Sequence, residues 1–247
     1  MTRRRWIADE VSADRAALVG EHAEHLVRVL RARVGQEFEI ATGETVRRGR
    51  IVSLSADRVD FDLAEEIPVA GAVQITLLLS IFKFDRMEWA IEKCTELGVA
   101  KIIPVIAQRT DSHLAAAAKK RVERWQRIAL QASEQSRRAT PPEIADPHKL
   151  GDALSVSATL VSVPRKIVLS ESENKILLRD IVQTSTDGEI LLAVGPEGGW
   201  TDDELQSFQQ GGWSAASLGN TILRAETAAI AATAIVVSLL SDHWVSQ

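Results

Sequence analysis

The segment Gly195-Pro196-Glu197-Gly198-Gly199-Trp200 follows directly on an apolar run, Ile-Leu-Leu-Ala-Val, at residues 190–194. A second segment, Leu218 to Ala228 with the sequence LGNTILRAETA, follows Ala215-Ala216-Ser217. In α/β folds the loops that leave the carboxyl ends of parallel strands line the ligand site. The two segments therefore predict a single pocket, built by the last quarter of the chain.

Upstream of these loops, strand-like segments alternate with longer helical ones. Val73 to Ile81 is a strand candidate, Asp85 to Leu97 places apolar residues at helical spacing, and Lys101 to Ala107 is the next strand. This alternation predicts a mostly parallel sheet covered by helices. Further strands are predicted at 158–163, 166–169, 189–194 and 213–218, and further helices at 117–138, 174–182, 201–209 and from Ala225 onward.

The amino-terminal part has a different pattern. Residues from Glu37 to Leu63 show the short alternating runs of β-strands, His22 to Leu30 has a short helical pattern, and residues 65–71 resemble a linker. We therefore predict two domains, a small β-rich one at residues 1–70 and an α/β one at residues 71–247.

Composition limits the class of protein. With 247 residues, of which 45% are hydrophobic, the chain can bury a substantial core. The single cysteine, Cys94, excludes an internal disulfide framework and fits a reducing compartment. Met1 leads into polar sequence rather than a signal peptide, and the apolar run from Ala228 to Leu240 is shorter than the ~20 residues of a membrane span. A cytoplasmic protein without a membrane segment is expected.

Positive charge is clustered although the net charge is −5. Arginines concentrate in the first 50 residues and again between residues 119 and 138. One such group is usually a solvated surface, but several groups on one small protein indicate a polyanionic partner, because phosphate contacts dominate nucleic-acid affinity.

The glycine loop at Gly195 does not match the known phosphate-binding motifs. Neither GxGxxG nor GxxxxGK[ST] occurs in the chain. The helix that follows starts with Thr201-Asp202-Asp203-Glu204, in which Thr201 and Glu204 fit a capping box. Three carboxylates in one helical turn repel a phosphate. The loop therefore suits a ligand without a triphosphate, and an adenosine with a cationic tail, as in S-adenosylmethionine, is one of several choices.

Four segments carry a more specific resemblance: Glu92 to Val99, Arg124 to Arg138, Gly195 to Trp200, and Leu218 to Ala228. In this order they resemble the 16S ribosomal RNA (uracil-N3) methyltransferases of the SPOUT superfamily. The segment from His25 to Arg31, with Val34-Gly35 after it, resembles the small PUA-like β-barrel domain of that family.

The resemblance implies a fold, a cofactor and partners. It implies an amino-terminal PUA-like RNA-binding barrel, a SPOUT-type α/β domain with a trefoil knot, a homodimer, and 16S ribosomal RNA of the small subunit as the substrate. It implies that S-adenosylmethionine is the cofactor and that no metal is required. The cofactor-binding residues implied are Leu169, Gly195, Pro196, Glu197, Gly198, Gly199, Leu218, Gly219, Asn220, Ile222, Leu223, Arg224 and Thr227.

Methylation at N3 of uridine requires removal of a proton and stabilisation of the resulting anion. A guanidinium suits the second task, and Arg224 is the first choice; alternatively, Arg224 caps carbonyls or pairs with Glu226. Glu197 or Glu226 is the candidate proton acceptor. The predicted RNA-binding residues are Arg3, Arg4, Arg5, Arg28, Arg31, Arg109, Arg137 and Arg138.

Two other classes of function compete with this one. A ribosome-assembly factor would keep the RNA-binding surface and have a vestigial cofactor pocket. A hydrolase or nucleotide enzyme would need a nucleophile elbow or a phosphate motif, and the chain has neither.

Overall fold

The fold contains two β-sheets, and each belongs to its own unit of the chain. The computed structural model describes residues 5–43, 45–68, 74–156, 164–183 and 189–241. One unit comprises Met1–Gly71 and Leu130–Pro141, and the other comprises Ala72–Ala129 and Pro142–Gln247.

The first unit is a six-stranded sheet with a short helical segment. All neighbouring strands are antiparallel except β1 and β4, and the order is β1-β4-β5-β6-β3-β2. The helix α1 is followed by a π-helical turn, where the sequence predicts one continuous short helix. The elements are β1 (Arg5–Ile7), β2 (Glu10–Ser12), β3 (Arg15–Val19), α1 (Glu21–Glu24), the π-turn (His25–Val29), β4 (Glu37–Ala41), β5 (Val46–Leu54) and β6 (Arg58–Ile67).

Polar side chains connect residues 130–141 to the rest of the first unit. Arg5 donates a hydrogen bond from Nη1 to the carbonyl oxygen of Arg137. His22 Nε2 lies 3.7 Å from Oε1 of Glu134, and its Nδ1 lies 3.1 Å from Oδ1 of Asp9. The core of this unit is apolar and includes Trp6, Leu18, Leu26, Ile40, Ile51 and Phe61.

The second unit is built on the parallel sheet that the sequence predicts. Its order is β10-β8-β7-β12-β11-β13, and β9 pairs with β8. The predicted strand at 158–163 lies outside the described residues. The elements are β7 (Ile75–Ser80), α2 (Phe84–Glu96), β8 (Lys101–Ile106), α3 (Ser112–Ala117), a 3-10 turn (Ala118–Arg121), α4 (Val122–Gln135), β9 (Glu143–Ile144), β10 (His148–Lys149), α5 (Leu150–Val156), β11 (Arg165–Leu169), α6 (Leu178–Val182), β12 (Ile190–Val194), α7 (Asp202–Gln210), β13 (Ser214–Ala216) and α8 (Ala225–Ser241). The last residues of α4, from Leu130 onward, belong to the first unit.

Helices cover both faces of this sheet, which explains why its central strands are continuous apolar runs. Every residue of β7 and of β12 is buried. On one face Met87, Ile91 and Cys94 of α2 pack with Ala229 and Ala232 of α8. On the other face the core includes Phe208 of α7, with Trp200 and Trp213 at its two sides.

The sheet order places the carboxyl ends of three strands side by side. Val168 of β11 lies opposite Ala193 of β12, and Leu169 of β11 lies opposite Ala216 of β13. The loops that leave these strands therefore begin next to each other.

No helix within the described ranges is long and apolar enough to cross a membrane. The same part of the chain contains no group of three or more His, Cys, Asp or Glu side chains placed to hold a metal ion.

Candidate functional site

The three loops that follow β11, β12 and β13 surround one cavity of about 580 Å³. This volume falls within the range of small-molecule sites, which are roughly 300–1,000 Å³. The sequence-based prediction that the two glycine loops form one pocket is confirmed, because both loops line this cavity.

The residues predicted to bind the cofactor fall almost entirely on the cavity wall. The exception is Thr227, an exposed residue in the first turn of α8 that does not line it. The loop after β11 contributes Ser170, Glu171 and Ser172, which sequence patterns did not select because this loop has no glycine motif. The predicted residues on the wall are Leu169, Gly195, Pro196, Glu197, Gly198, Gly199, Leu218, Gly219, Asn220, Ile222, Leu223 and Arg224.

The loop at residues 195–200 is held by its own tryptophan. Trp200 is buried, and its Nε1 donates a hydrogen bond of 3.1 Å to the carbonyl oxygen of Leu169. A Cβ atom at Gly195 would lie 3.1 Å from the same nitrogen, so a larger residue there would push against the indole. Gly199 has a φ of 69°, in the left-handed region that favours glycine.

Arg109 supports the same loop through its guanidinium. Its Nη1 donates to the carbonyl oxygen of Gly198 at 2.6 Å and to that of Trp200 at 3.3 Å. Arg109 follows β8 and lines the cavity. The sequence predicts RNA binding for this residue, whereas its guanidinium is engaged with the glycine loop.

The amino terminus of α7 is occupied by the chain's own carboxylate. Thr201 and Glu204 form the predicted capping box, and Glu204 also accepts a hydrogen bond of 2.8 Å from the backbone N–H of Gln108. Glu204 is buried. Two of the backbone donors at this helix start, the N–H groups of Thr201 and Glu204, are thus already used, which agrees with a ligand that brings no phosphate.

The second loop leaves Arg224 exposed on the cavity wall. Ser217 shapes the start of this loop, since its hydroxyl accepts from the N–H of Gly219 at 3.2 Å and donates to the carbonyl oxygen of Gly219 at 3.0 Å. The Arg224 guanidinium has no hydrogen bond or ion pair with any described residue. The alternative in which Arg224 pairs with Glu226 is wrong in this structure, because Glu226 faces a different arginine.

That arginine is Arg86, in the first turn of α2. Its Nη1 donates to Oε1 of Glu197 at 2.6 Å, and its Nε lies 3.7 Å from Oε1 of Glu226. Glu197 is exposed and lines the cavity, whereas Glu226 is buried and does not. The two candidate proton acceptors therefore have different environments, and Glu197 alone of the two is placed to meet a ligand.

The predicted RNA-binding arginines separate into exposed and buried groups. Arg28, Arg31 and Arg137 are exposed, and Arg31 and Arg137 have positive φ angles of 51° and 60°. Arg138 is half-buried, and burial lowers the pKa of its guanidinium to about 10. Arg3 and Arg4 lie outside the described residues.

Arg5 contradicts the prediction. It is buried, and its guanidinium hydrogen-bonds Glu39 at 3.0 Å as well as the carbonyl oxygen of Arg137. A guanidinium whose N–H groups already bond to partners inside the fold cannot donate two parallel hydrogen bonds to a phosphate. We therefore remove Arg5 from the RNA-binding set.

Comparisons with known proteins place this architecture among methyltransferases. The chain is 33% identical over 233 residues to the ribosomal RNA small subunit methyltransferase E of Rickettsia conorii, covering 92% of this chain and 90% of that protein. It is 32% identical to the protein of the same name from Synechocystis over 226 residues, covering 88% of this chain and 71% of that one.

Solved structures give the same result. A ribosomal RNA small subunit methyltransferase E from Neisseria gonorrhoeae, bound to S-adenosyl methionine, superimposes with a TM-score of 0.84 at 33% identity, covering 96% of this chain and 98% of that one. A methyltransferase from Legionella pneumophila in complex with the same cofactor gives 0.82 at 27% identity, with the same coverage. The family model of the RNA methyltransferase domain matches residues 70–237, and the chain belongs to this RNA methyltransferase family, together with the ribosomal RNA small subunit methyltransferases E.

Proposed function

We propose that this protein is an S-adenosylmethionine-dependent methyltransferase that modifies N3 of a uridine in 16S ribosomal RNA of the small ribosomal subunit. The observation that carries the proposal is the cavity between the two glycine loops, with Arg224 and Glu197 on its wall. Relatives named as ribosomal RNA small subunit methyltransferases and a neighbour bound to S-adenosyl methionine support the substrate and the cofactor.

The residues of the cavity fit this cofactor. Leu169, Val194 and Leu218 supply apolar surface, and the glycine loops offer backbone donors and acceptors at close range. Glu171, Glu197 and Asp202 line the wall together with Arg86, Arg109 and Arg224, so the site offers carboxylates to a sulfonium as well as cations to an anionic base.

When bound, S-adenosylmethionine supplies a methyl group on a positively charged sulfur, which needs no further activation. The protein must then favour the uracil anion and accept its N3 proton. Arg224, exposed on the wall and unpaired among the described residues, would hydrogen-bond a carbonyl oxygen of the base and stabilise the anion.

Glu197 is the proposed proton acceptor. Its Oε1 accepts from Arg86, while Oε2 has no hydrogen bond with any described residue and is free to take a proton. Glu226, the other candidate, is buried away from the cavity wall, so we assign it a supporting role.

We assign RNA binding to residues 1–70, and cofactor binding, catalysis and dimerisation to residues 71–247. In the first part Arg28 and Arg31 are exposed beside Val29 and Leu30, themselves 64% and 44% exposed. Guanidinium groups next to apolar side chains suit contact with both phosphates and bases. Arg3 and Arg4 belong to the same part, and Arg137 and Arg138, which lie outside residues 1–70 but within the first unit, complete the proposed RNA-binding set.

We further propose a PUA-like barrel in the first unit, a trefoil knot around the cofactor, and a homodimer. Helix α8 supports the dimer because it is apolar on all sides, yet Ile230, Ile235 and Leu239 stay partly exposed. A ribosomal RNA substrate would place the protein in the cytoplasm.

The test is methyl transfer from labelled S-adenosylmethionine to purified small ribosomal subunits from a strain that lacks this activity, followed by mapping of the modified nucleoside. We expect N3-methyluridine with the wild-type protein and its loss with Arg224→Ala. Calorimetry with S-adenosylmethionine tests the alternative: a non-catalytic assembly factor with a vestigial pocket would bind the subunit and give no heat with the cofactor.

A further inference from the structure

Arg86 is the cation that pairs with both Glu197 on the cavity wall and the buried Glu226 behind it, and sequence patterns did not select it. It lies in α2, while Glu197 belongs to the loop after β12 and Glu226 to the first turn of α8. We propose that Arg86 is a positioning residue for methyl transfer: it holds the Glu197 carboxylate in the orientation that accepts the substrate proton. The proposal rests on the methyltransferase function proposed above.

The buried carboxylate fixes the guanidinium. Glu226 is 3% exposed, and its Oε2 has no hydrogen bond with any described residue. A buried carboxylate is costly without a nearby cation, and its one ion pair among the described residues is the 3.7 Å contact with Arg86. Arg86 is therefore the cation that compensates the buried charge of Glu226.

The anchored guanidinium then orients the exposed carboxylate. The Glu197 side chain is 40% exposed, and an exposed ion pair on its own orders a side chain only weakly. Here the donor also pairs with the buried Glu226 at 3.7 Å, so the 2.6 Å hydrogen bond from Nη1 to Oε1 of Glu197 restricts the carboxylate at a lower entropic cost than an isolated surface pair. Oε2 of Glu197 is then left for the substrate.

This arrangement needs a planar guanidinium, which has several N–H donors in fixed directions. The guanidinium uses Nε toward Glu226 and Nη1 toward Glu197, two groups at different places on one rigid plane. A lysine at this position would supply a point charge that compensates Glu226 but would not hold both carboxylates in fixed geometry.

The experiment compares single-turnover methyl transfer at saturating S-adenosylmethionine for wild type, Arg86→Ala, Arg86→Lys, Glu197→Gln and the double variant Arg86→Ala/Glu197→Gln. We expect Arg86→Ala to lower the rate about 100-fold and Arg86→Lys to restore only part of it. In the Glu197→Gln background Arg86→Ala should cost less than about threefold, because the residue that it positions is already disabled.

Two further variants separate this role from a loss of folding. Arg124→Ala removes an arginine that pairs with Glu88 at 2.6 Å and does not line the cavity, and it should keep the wild-type rate. Arg86→Ala/Glu226→Gln should recover the melting temperature lost by Arg86→Ala, while its transfer rate stays low.

Equal losses from Arg86→Ala in the wild-type and Glu197→Gln backgrounds would overturn the proposal, and so would a full wild-type rate with Arg86→Lys. Absence of transfer by the wild-type protein would overturn the proposed function together with it. If the wild-type protein transfers the methyl group and the rate losses of Arg86→Ala and Glu197→Gln add up in the double variant, only the positioning role of Arg86 is overturned.

Discussion

Arg109 Nη1 lies 2.6 Å from the carbonyl oxygen of Gly198 and thereby connects the residues after β8 to the loop after β12. The same nitrogen reaches the carbonyl oxygen of Trp200 at 3.3 Å. The aliphatic part of the side chain also packs on the loop, because a Cβ atom at Gly198 would lie 3.3 Å from Cδ of Arg109. Arg109 thus holds the loop at residues 195–200 by hydrogen bonds and packing, and it lines the cavity together with that loop.

Replacing Arg109 by alanine should weaken cofactor binding about tenfold, because a hydrogen bond from a charged group contributes roughly 1.5–3 kcal/mol and part of this is recovered by water. Calorimetry with S-adenosylmethionine measures the effect. Arg15→Ala, which removes an exposed pair with Asp62 at 3.4 Å, is the matched control and should bind normally. If Arg109→Ala binds S-adenosylmethionine normally but binds RNA more weakly, Arg109 belongs to the RNA-binding set after all.

Gly219 provides a test of backbone conformation in the second loop. Its φ is 132°, a backbone conformation that L-residues with a side chain rarely adopt, although within the described part of the chain a Cβ atom added there would have no atom within 4 Å apart from those of its sequence neighbours. Gly219→Ala should therefore lower the free energy of unfolding by about 1–3 kcal/mol through backbone strain alone, and should weaken cofactor binding as the loop shifts.

The control for Gly219 is Gly151, in α5. It also has open space around its Cβ position, but its φ is ordinary. Gly151→Ala should raise the free energy of unfolding by about 0.4–1 kcal/mol, because alanine restricts the unfolded chain. Chemical denaturation measures both values, and a stabilising Gly219→Ala would show that the loop does not hold this conformation in solution.

The central strands were predictable because burial on both faces demands continuous apolar sequence. The prediction at Val73 to Ile81 contains the observed β7, Ile75–Ser80, and the glycine loops of the site follow strands of the same kind. The edge strands β9 and β10 are two residues each, which is too short to show alternation.

Local side-chain bonds explain why one predicted helix is shorter than expected. The sequence predicts a helix from Asn174 to Val182, whereas α6 spans Leu178–Val182. Oε1 of Glu173 accepts from the backbone N–H groups of Lys175 and Ile176 at 2.7 and 3.0 Å, and these bonds lower the pKa of the Glu173 carboxyl. They favour a turn over helix at these residues.

The position of Arg86 could not be predicted for a different reason. Helical spacing indicates which face of α2 is buried, but it does not tell which carboxylates from distant loops lie opposite that helix. Glu197 and Glu226 are 111 and 140 positions further along the sequence, and the sheet order alone brings them to Arg86.

Cys94, the single cysteine of the chain, should report unfolding. Its thiol is buried between α2 and α8, 3.6 Å from Oγ1 of Thr233, and burial raises its pKa to about 12. The thiolate is the reactive form, so iodoacetamide at pH 8 should modify the folded protein only through opening. The labelling rate should rise with denaturant in parallel with unfolding, and Cys94→Ala should take up no label.

The same thiol makes stability depend on pH in the alkaline range. The folded pKa lies above the ordinary value of 9.0, so the neutral thiol is favoured by folding. Its contribution is fully present below about pH 9 and is lost as the pH rises toward 12. Between pH 9 and 11 the free energy of unfolding of Cys94→Ala should therefore fall less steeply with pH than that of the wild type.

In the labelling experiment, fast modification of the native protein by iodoacetamide at pH 8 would contradict the buried position of Cys94.

At Arg31 we expect the wild-type residue to lower the stability of the fold but to strengthen RNA binding. Its φ of 51° is unfavourable for any residue except glycine, while its side chain is exposed and available to a phosphate. Arg31→Ala keeps the strain and removes the charge, whereas Arg31→Gly removes both. Both variants should weaken RNA binding. They should also reduce the slope of the logarithm of the RNA-binding constant against the logarithm of salt concentration by about 0.7–1 in magnitude, as expected for the loss of one phosphate contact.

Arg31→Gly should in addition be more stable than Arg31→Ala by about 1 kcal/mol, because glycine adopts this backbone conformation without the clash of a Cβ atom. Filter binding at several salt concentrations gives the slope, and chemical denaturation gives the stability. Arg5→Ala is the contrasting variant, since it should destabilise the fold by breaking buried bonds to Glu39 and Arg137. An unchanged salt slope for both Arg31 variants would remove this residue from the RNA-binding surface.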